Sequence, residues 1–325
     1  VSDCQGWTGL PESVKNGRAT VIVVPDTVDA MGKLAAAVRE RFEGPVVGLT
    51  GSSGKTTTKV MIDVVLQTRG ATLATAGNLN NHLGVPLTLF RLEKHHRHAV
   101  VEMGMSAAGE IAYLADLTQP TVGVVTTVGA AHLEGLGSIE AVARAKGELL
   151  TALDPDSLAV FPSDISFVDA LTEGMGARAI TVGDSSDDEI RLIEFSETVS
   201  GACGLIEVDG VRHQMQLKLA GRYNLVNAML ALAVGRGLGV AIGEGIKALS
   251  EMNPPSLRGE IRVLSDGTQV ILDCYNANPQ SMEKALTSFV HRSQGALVVL
   301  GDMLELGTTS QSLHEALGIY LAQLD

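Results

Sequence analysis

Apolar runs bounded by glycine and turn-forming residues alternate along this chain with stretches whose apolar positions recur every three to four residues, the signatures of strand and helix. "ATVIVVPD" (19–26) predicts a short buried strand, and "TVDAMGKLAAAVRERF" (27–42), opened by Thr and Asp, predicts a helix. "GPVVGLTG" (44–51) predicts a second buried strand ended by Gly51, followed by a helix over "GKTTTKVMIDVVLQTRG" (54–70) closed by Gly70. Further strands are predicted at "ATLATAG" (71–77), "HAVVEMG" (98–104), "TVGVVTTVG" (121–129) and "SLAVFPSD" (157–164), with helices at "SAAGEIAYLADL" (106–117) and "SIEAVARAKGELLTALD" (138–154). Such alternation implies a parallel sheet with helices on both faces.

The pattern changes from about 188 to 219, where short strand-like runs and a "VDGV" turn predict antiparallel hairpins. "NLVNAMLALAVGRGLG" (224–239) returns to helix, and "MNPPSLRG" (252–259) is the best linker in the chain. Beyond it, "TQVILDCYN", "SMEKALTSFV" and "GALVVLGD" predict a fresh β-α-β unit. The histidine-rich "HHRH" at 95–98 falls in a polar turn between a helix and a strand, so a solvent-facing tract is expected there rather than a metal site.

Composition sharpens this picture. At 325 residues the chain suits two or three domains, and 45% apolar residues with only 3% aromatic suit a layered α/β protein rather than a disordered one. A formal net charge of −13 opposes attraction to nucleic acid or an anionic membrane, although a local basic pocket can still hold a nucleotide. Cys4, Cys203 and Cys274 are widely spaced and form no CxxC pair, which points to reduced thiols and a cytoplasmic setting. No apolar run has the length of a membrane span. The chain opens at Val1 in mid-pattern, from which a trimmed or processed chain is expected.

Candidate chemistry centres on "VVGLTGSSGKTTTKVM" (46–61), a strand, a Gly-rich turn, Lys-Thr and a helix. These parts wrap backbone N–H groups around polyphosphate, with Lys55 reaching the terminal phosphates and the Thr56 hydroxyl available to Mg²⁺. The residue five before Gly54 is Leu49, so the general P-loop spacing is not met in full. Glu102 ends the strand "HAVV" and His132 follows "TTVG", both at the carboxyl edge where open α/β sheets bind ligands. For Glu102 alone a solvated strand-end carboxylate is the stronger alternative, and Lys146 in "RAKGELL" reads by itself as a surface lysine.

In order and wording these blocks resemble the Mur ligases. "TGSSGKTTTK", "GNLNNHLGVPLTL", "VVEMGMSAAGEI", "GAAHLEGLGSIEAVARAKGEL", "LAGRYNLVNAMLALAV", "LDCYNANPQSM" and "LGDMLELG" match in series from 50 to 307, and the last two with "GNLNN" point to the MurF type. Tyr223 stands where the family usually has His, Thr127 where Asn is common and Cys274 where Ser is usual, none of which removes a charge or a metal ligand.

The resemblance implies a P-loop central domain with a mostly parallel sheet flanked by helices, at 44–256. It also implies a remnant of an N-terminal UDP-substrate domain at 1–43 and an incomplete, Rossmann-like C-terminal α/β ligase domain at 257–325. The implied activity is ATP-dependent amide synthesis, joining D-Ala-D-Ala to a UDP-N-acetylmuramoyl-tripeptide through an acyl phosphate, in a cytoplasmic monomer. Gly51, Ser52, Ser53, Gly54, Lys55, Thr56 and Thr57 would then hold ATP with Asn224, Arg258, Asp273 and Asn276. Thr56, Glu102, His132 and a carbamylated Lys146 would serve Mg²⁺, and Asn80, Asn81 and His82 would face the muramoyl substrate. From the residues alone, Asn224 reads as a helix N-cap, Arg258 as a linker charge, Asp273 as a turn former and 80–82 as local Asx bonding. A related ligase with another substrate and a non-catalytic nucleotide-binding module are the other two readings.

Overall fold

A computed structural model describes residues 21–131, 133–198, 201–290 and 297–324. Of the predicted site residues, His132 lies outside the described residues.

The described residues form a nine-stranded sheet of order β2-β3-β1-β4-β5-β6-β7-β8-β9. Its parallel part comprises β1 (Val46–Thr50), β2 (Thr72–Ala74), β3 (His98–Glu102), β4 (Val122–Val125), β5 (Leu158–Pro162) and β6 (Arg178–Gly183). Strands β1, β3 and β4 are buried at every position, which is why they read as unbroken apolar runs rather than alternating ones. The antiparallel part comprises β7 (Ile190–Thr198), β8 (Gly201–Val208) and β9 (Val211–Gln216). Val208 pairs with Val211 across a two-residue Asp209-Gly210 turn with both φ angles positive, the geometry an Asp-Gly hairpin favours.

Helices cover both faces. On one lie α1 (Thr27–Arg39), α3 (Gly84–Leu89), α4 (Glu110–Thr118) and α6 (Ile139–Thr151), whose Ala35, Val85, Leu89, Leu114, Val142 and Leu149 join one core. On the other, α2 (Lys55–Gln67) buries Met61, Ile62, Val65 and Leu66 against α8 (Arg222–Gly237), a helix buried on nearly every side. Helix α9 (Ile242–Glu251) is not evident in the sequence, because glycines at 243 and 245 weaken the helical signal; it forms by packing Leu249 into the same core. Between α4 and α6 runs the short α5 (Leu133–Leu136), and α7 (Val168–Leu171) follows β5. No helix among the described residues is long and apolar enough to cross a membrane.

Past residue 256, β10 (Glu260–Val263) and β11 (Gln269–Leu272) make an antiparallel ribbon, followed by α10 (Pro279–Val290) and α11 (Ser310–Gln323) around a small core of Leu286, Met303, Leu306 and Leu317. Three expectations are corrected. In "ATVIVVPD", residues 21–24 form no strand and Ile22 is 73% exposed; in "GALVVLGD", residues 297–302 form none and Leu297 and Val299 are each 86% exposed. Both runs have strand-like composition, but no neighbouring strand among the described residues pairs with them, and a strand exists only where its backbone groups find partners.

The third correction concerns the "HHRH" tract. His95 and Arg97 are exposed, but His98 begins β3 and is buried, with Nδ1 lacking a hydrogen-bond partner. Burial, then the nearby Arg69 and Arg97, hold its pKa below the usual histidine value. The unfolded chain therefore binds a proton at His98 at a higher pH than the folded one, so this contribution is whole above pH ~6.5 and is lost as pH falls below it. In His98→Gln, urea melts between pH 7 and 5 are expected to have a flatter acid limb than the parent, by up to about 1.4 kcal/mol per pH unit.

Candidate active site

Register gathers the candidate residues. Leu49 of β1 pairs with Glu102 of β3 on one side and Val124 of β4 on the other, so the Gly-rich loop, Glu102 and residues 126–129 emerge level at the carboxyl edge. This is a point where the chain order departs in opposite directions from a central strand, the usual ligand crevice of open α/β sheets.

The loop is tied down before any ligand is considered. Ser52 N–H donates to Thr127 O (2.9 Å), Ser53 N–H to Thr127 Oγ1 (2.9 Å), and Gly129 N–H to Ser52 Oγ (3.0 Å). The Thr127 hydroxyl thus braces the loop. A Cβ on Gly51 would stand 1.9 Å from Thr126 Oγ1, and Gly54, at φ 82°, would bring one to 2.9 Å from Asn227 Oδ1. Only glycine fits either position without displacement. Gly54 opens α2 with no side-chain cap, leaving the first N–H groups of that helix free of a capping side chain.

On α2, Lys55 Nζ donates to Gly51 O at 2.6 Å. Burial lowers its pKa, Glu102 opposes that shift, Arg258 adds to it and Glu305 opposes it. Thr56 Oγ1 donates to Glu102 Oε2 (3.3 Å), and Thr57 is buried on the same turn. Glu102 is far from the solvated carboxylate it could have been: its side chain is 2% exposed and its Oε2 lies 3.0 Å from Lys59 Nζ, itself 4% exposed. Asn80 Nδ2 donates to the other oxygen, Oε1, at 3.0 Å. Asn80 is thereby joined to Glu102, whereas Asn81 Oδ1 accepts from Leu83 and Gly84 N–H and His82 is exposed.

Lys146 of α6 is 1% exposed, not the surface lysine its helix suggests. Burial first, and the charge of Lys55 second, push its pKa well below the usual lysine value. Asn224 lies in the first turn of α8, but Gly221 is the N-cap; Asn224 Nδ2 donates to Ala220 O (2.7 Å) and its Oδ1 accepts from Asn227 Nδ2 (3.2 Å). Since Asn227 also bounds Gly54, the two asparagines support the loop from beneath.

The segment past 256 reaches the same edge. Arg258 Nη2 donates to Thr56 Oγ1 (3.1 Å) while its guanidinium lies 4.1 Å over the Tyr275 ring, so it is no free linker charge. Asp273 is exposed; partial desolvation by the surrounding protein raises its pKa, against which Arg258 and Gly259 N–H act. Asn276 is exposed and its Oδ1 accepts from Ala277 N–H, a local turn rather than a contact with the loop. Gln280 Oε1 of α10 comes so near Gly129 that a Cβ there would stand 2.5 Å from it.

Sequence reasoning missed Lys59, Asn227, Tyr275, Gln280 and Glu305. Lys59 follows Lys55 by one helical turn and Asn227 follows Asn224 by three residues, spacings that place each pair on one helix face and could have served as signals. The set can hold an anion: the uncapped N–H groups at the start of α2 have Lys55 on that same turn and Arg258 bonded to Thr56 beside it. It also presents hard oxygen donors, the Thr56 hydroxyl and Glu102 carboxylate, of the kind Mg²⁺ takes. No group of three or more His, Cys, Asp or Glu that could hold a metal occurs among the described residues.

Comparison with known proteins covers most of the chain. Residues 49–235 match the Mur ligase middle domain, and 257–325 match the Mur ligase, glutamate ligase domain. The UDP-N-acetylmuramoyl-tripeptide--D-alanyl-D-alanine ligase of Bacillus subtilis is 36% identical over 304 residues, covering 93% of this chain and 65% of the relative. That of Haemophilus influenzae is 33% identical over 325 residues, covering 98% and 70%. The crystal structure of MurF ligase from Thermotoga maritima in complex with ADP superposes with a TM-score of 0.85 at 30% identity, covering 95% of this chain and 72% of that one. This chain spans just under two thirds of the Bacillus relative's length.

Proposed function

Because the chain belongs to the Mur ligase family, in its MurF-type branch, we propose that it carries the ATP-binding and carboxylate-activating part of a ligase that adds D-Ala-D-Ala to UDP-N-acetylmuramoyl-tripeptide. The observation that carries this reading is the hydrogen bond from Arg258 to Thr56, because it brings the segment past 256 onto the phosphate loop beside Lys55 and Glu102. A site built from two such segments encloses a reactive acyl phosphate away from water, which would otherwise hydrolyse it.

In this mechanism the N–H groups that open α2 and Lys55 bind the ATP phosphates, and Lys55 with Arg258 offsets the charge that develops on the transferring phosphoryl group. The tripeptide's terminal carboxylate oxygen attacks the γ-phosphorus, ADP leaves, and the carboxyl carbon becomes electrophilic. The D-Ala-D-Ala amine then adds to that carbon, loses a proton, and inorganic phosphate departs as the amide forms. Thr56, Glu102 and His132 would hold Mg²⁺, which when bound neutralises phosphate charge. Lys146 has the chemistry for carbamylation: burial favours its uncharged amine, which adds to CO₂ with loss of one proton and gives an oxygen donor beside Lys55. Asn224, Asp273 and Asn276 are assigned to the nucleotide, Asn80, Asn81 and His82 to the muramoyl substrate.

The same reading takes 44–256 as the central ATP-binding domain, 257–325 as the ligase domain and 1–43 as belonging with the UDP-substrate domain, in a cytoplasmic monomer. Its test is phosphate release and product formation by the full-length protein with ATP and Mg²⁺. Turnover is expected only when both the UDP-muramoyl-tripeptide and D-Ala-D-Ala are present. ATP-dependent joining of other substrates, or nucleotide binding without turnover, overturns it.

A further inference from the structure

Lys59 is a buried charge that the mechanism above leaves unused. It sits on α2 one turn beyond Lys55, yet its ammonium turns toward the end of β3, where it lies 3.0 Å from Glu102 Oε2 and donates to Gly77 O at 2.9 Å. Both side chains of the pair are almost wholly removed from water, so neither charge can be compensated by solvent. The shared oxygen matters: Oε2 is also the one that accepts from Thr56 Oγ1, while Oε1 is held by Asn80, whose backbone carbonyl accepts from Gly104 N–H. The carboxylate is thus clamped at both oxygens, and the ammonium and any cation between Thr56 and Glu102 must draw on the same oxygen.

We propose that Lys59 is the resident counter-ion of Glu102, a positioning residue that keeps the carboxylate compensated and aimed at the loop mouth in the absence of a divalent cation and competes with that cation for its charge. The proposal rests on the Mg²⁺ reading above. Two positive charges bound to one buried oxygen repel, so the affinity of the site for Mg²⁺ is what remains after Lys59 has taken its share. Removing Lys59 should weaken the metal-free protein and strengthen the metal's grip, and by linkage the gain in affinity equals the extra stabilisation that the metal then gives.

The experiment compares parent, Lys59→Met, Glu102→Gln and the double variant by thermal unfolding with ADP alone and with ADP plus Mg²⁺, and by calorimetric titration of Mg²⁺ into the ADP-saturated protein. Lys59→Met is expected to melt lower than the parent without Mg²⁺, to gain more on adding it, and to bind it about tenfold or more tightly. The double variant, with neither charge, should melt above Lys59→Met without Mg²⁺ and lack the parent's response to it; it also decides the matter where Lys59→Met fails to fold. A Mg²⁺ response in Lys59→Met no larger than the parent's, or a double variant no more stable than Lys59→Met, overturns the proposal. If Glu102→Gln responds to Mg²⁺ as the parent does, the metal reading itself fails, and the Lys59 proposal with it. If Glu102→Gln loses the response while Lys59→Met keeps the parent's, only the Lys59 proposal fails.

Discussion

Lys55→Met is expected to lose the proposed ATP-dependent joining by about a thousandfold or more while remaining folded. Charge spreading over a transferring phosphoryl group in a water-poor site needs a preplaced cation, and removing one such group costs about 10²–10⁵ in rate, which sets the magnitude. Folding should survive because burial already disfavours the Lys55 charge, as its lowered pKa records, and the substitution releases that desolvation at the cost of one hydrogen bond to Gly51 O. Unfolding free energy is therefore expected within about 1 kcal/mol of the parent. Rate assays at saturating ATP together with urea melts test both halves. Turnover within tenfold of the parent would remove Lys55 from the phosphate site, and a large loss of stability would recast it as a structural residue.

Glu102→Gln is expected to act in the opposite proportion on stability. With the carboxylate neutralised, the Lys59 side chain loses its counter-charge in a site almost closed to water, so about 3–5 kcal/mol of stability should be lost. The single amide oxygen can replace only one of Oε1 and Oε2, so either Asn80 Nδ2 or Lys59 Nζ also loses its acceptor. Surface ion pairs such as Arg262 with Glu260 (2.8 Å) serve as internal controls, since breaking an exposed pair should cost about 0–1 kcal/mol and depend on salt. Urea melts at low and high ionic strength check this. A Glu102→Gln protein as stable as the parent would show that the buried pair is not held as described.

The site's parts differ in how far they can be read from the chain. Lys55 and Thr56 are legible because a strand, a Gly-rich turn and a helix start are local features whose geometry depends on neighbours in sequence. Glu102 is legible as a strand end, but its burial and its three partners are not. Lys146 and Arg258 look like surface charges on local evidence, and only the family resemblance draws attention to them. His98 passes for part of a polar tract because the first residue of a buried strand carries no local mark of its burial.

Local patterning alone specified the alternating strands and helices of 27–162 except the short α3 and α5, together with the Asp-Gly hairpin and the loop that can cradle phosphate, because apolar periodicity and glycine's backbone freedom act over a few residues. Which charges meet was decided by packing. The Thr56 to Glu102 contact spans 46 residues and the Arg258 to Thr56 contact spans 202, distances bridged by parallel register in the first case and by docking of the segment past 256 in the second. The same physics denied a strand to residues 297–302: an apolar run proposes an extended backbone, and only a partner strand in three dimensions makes it one.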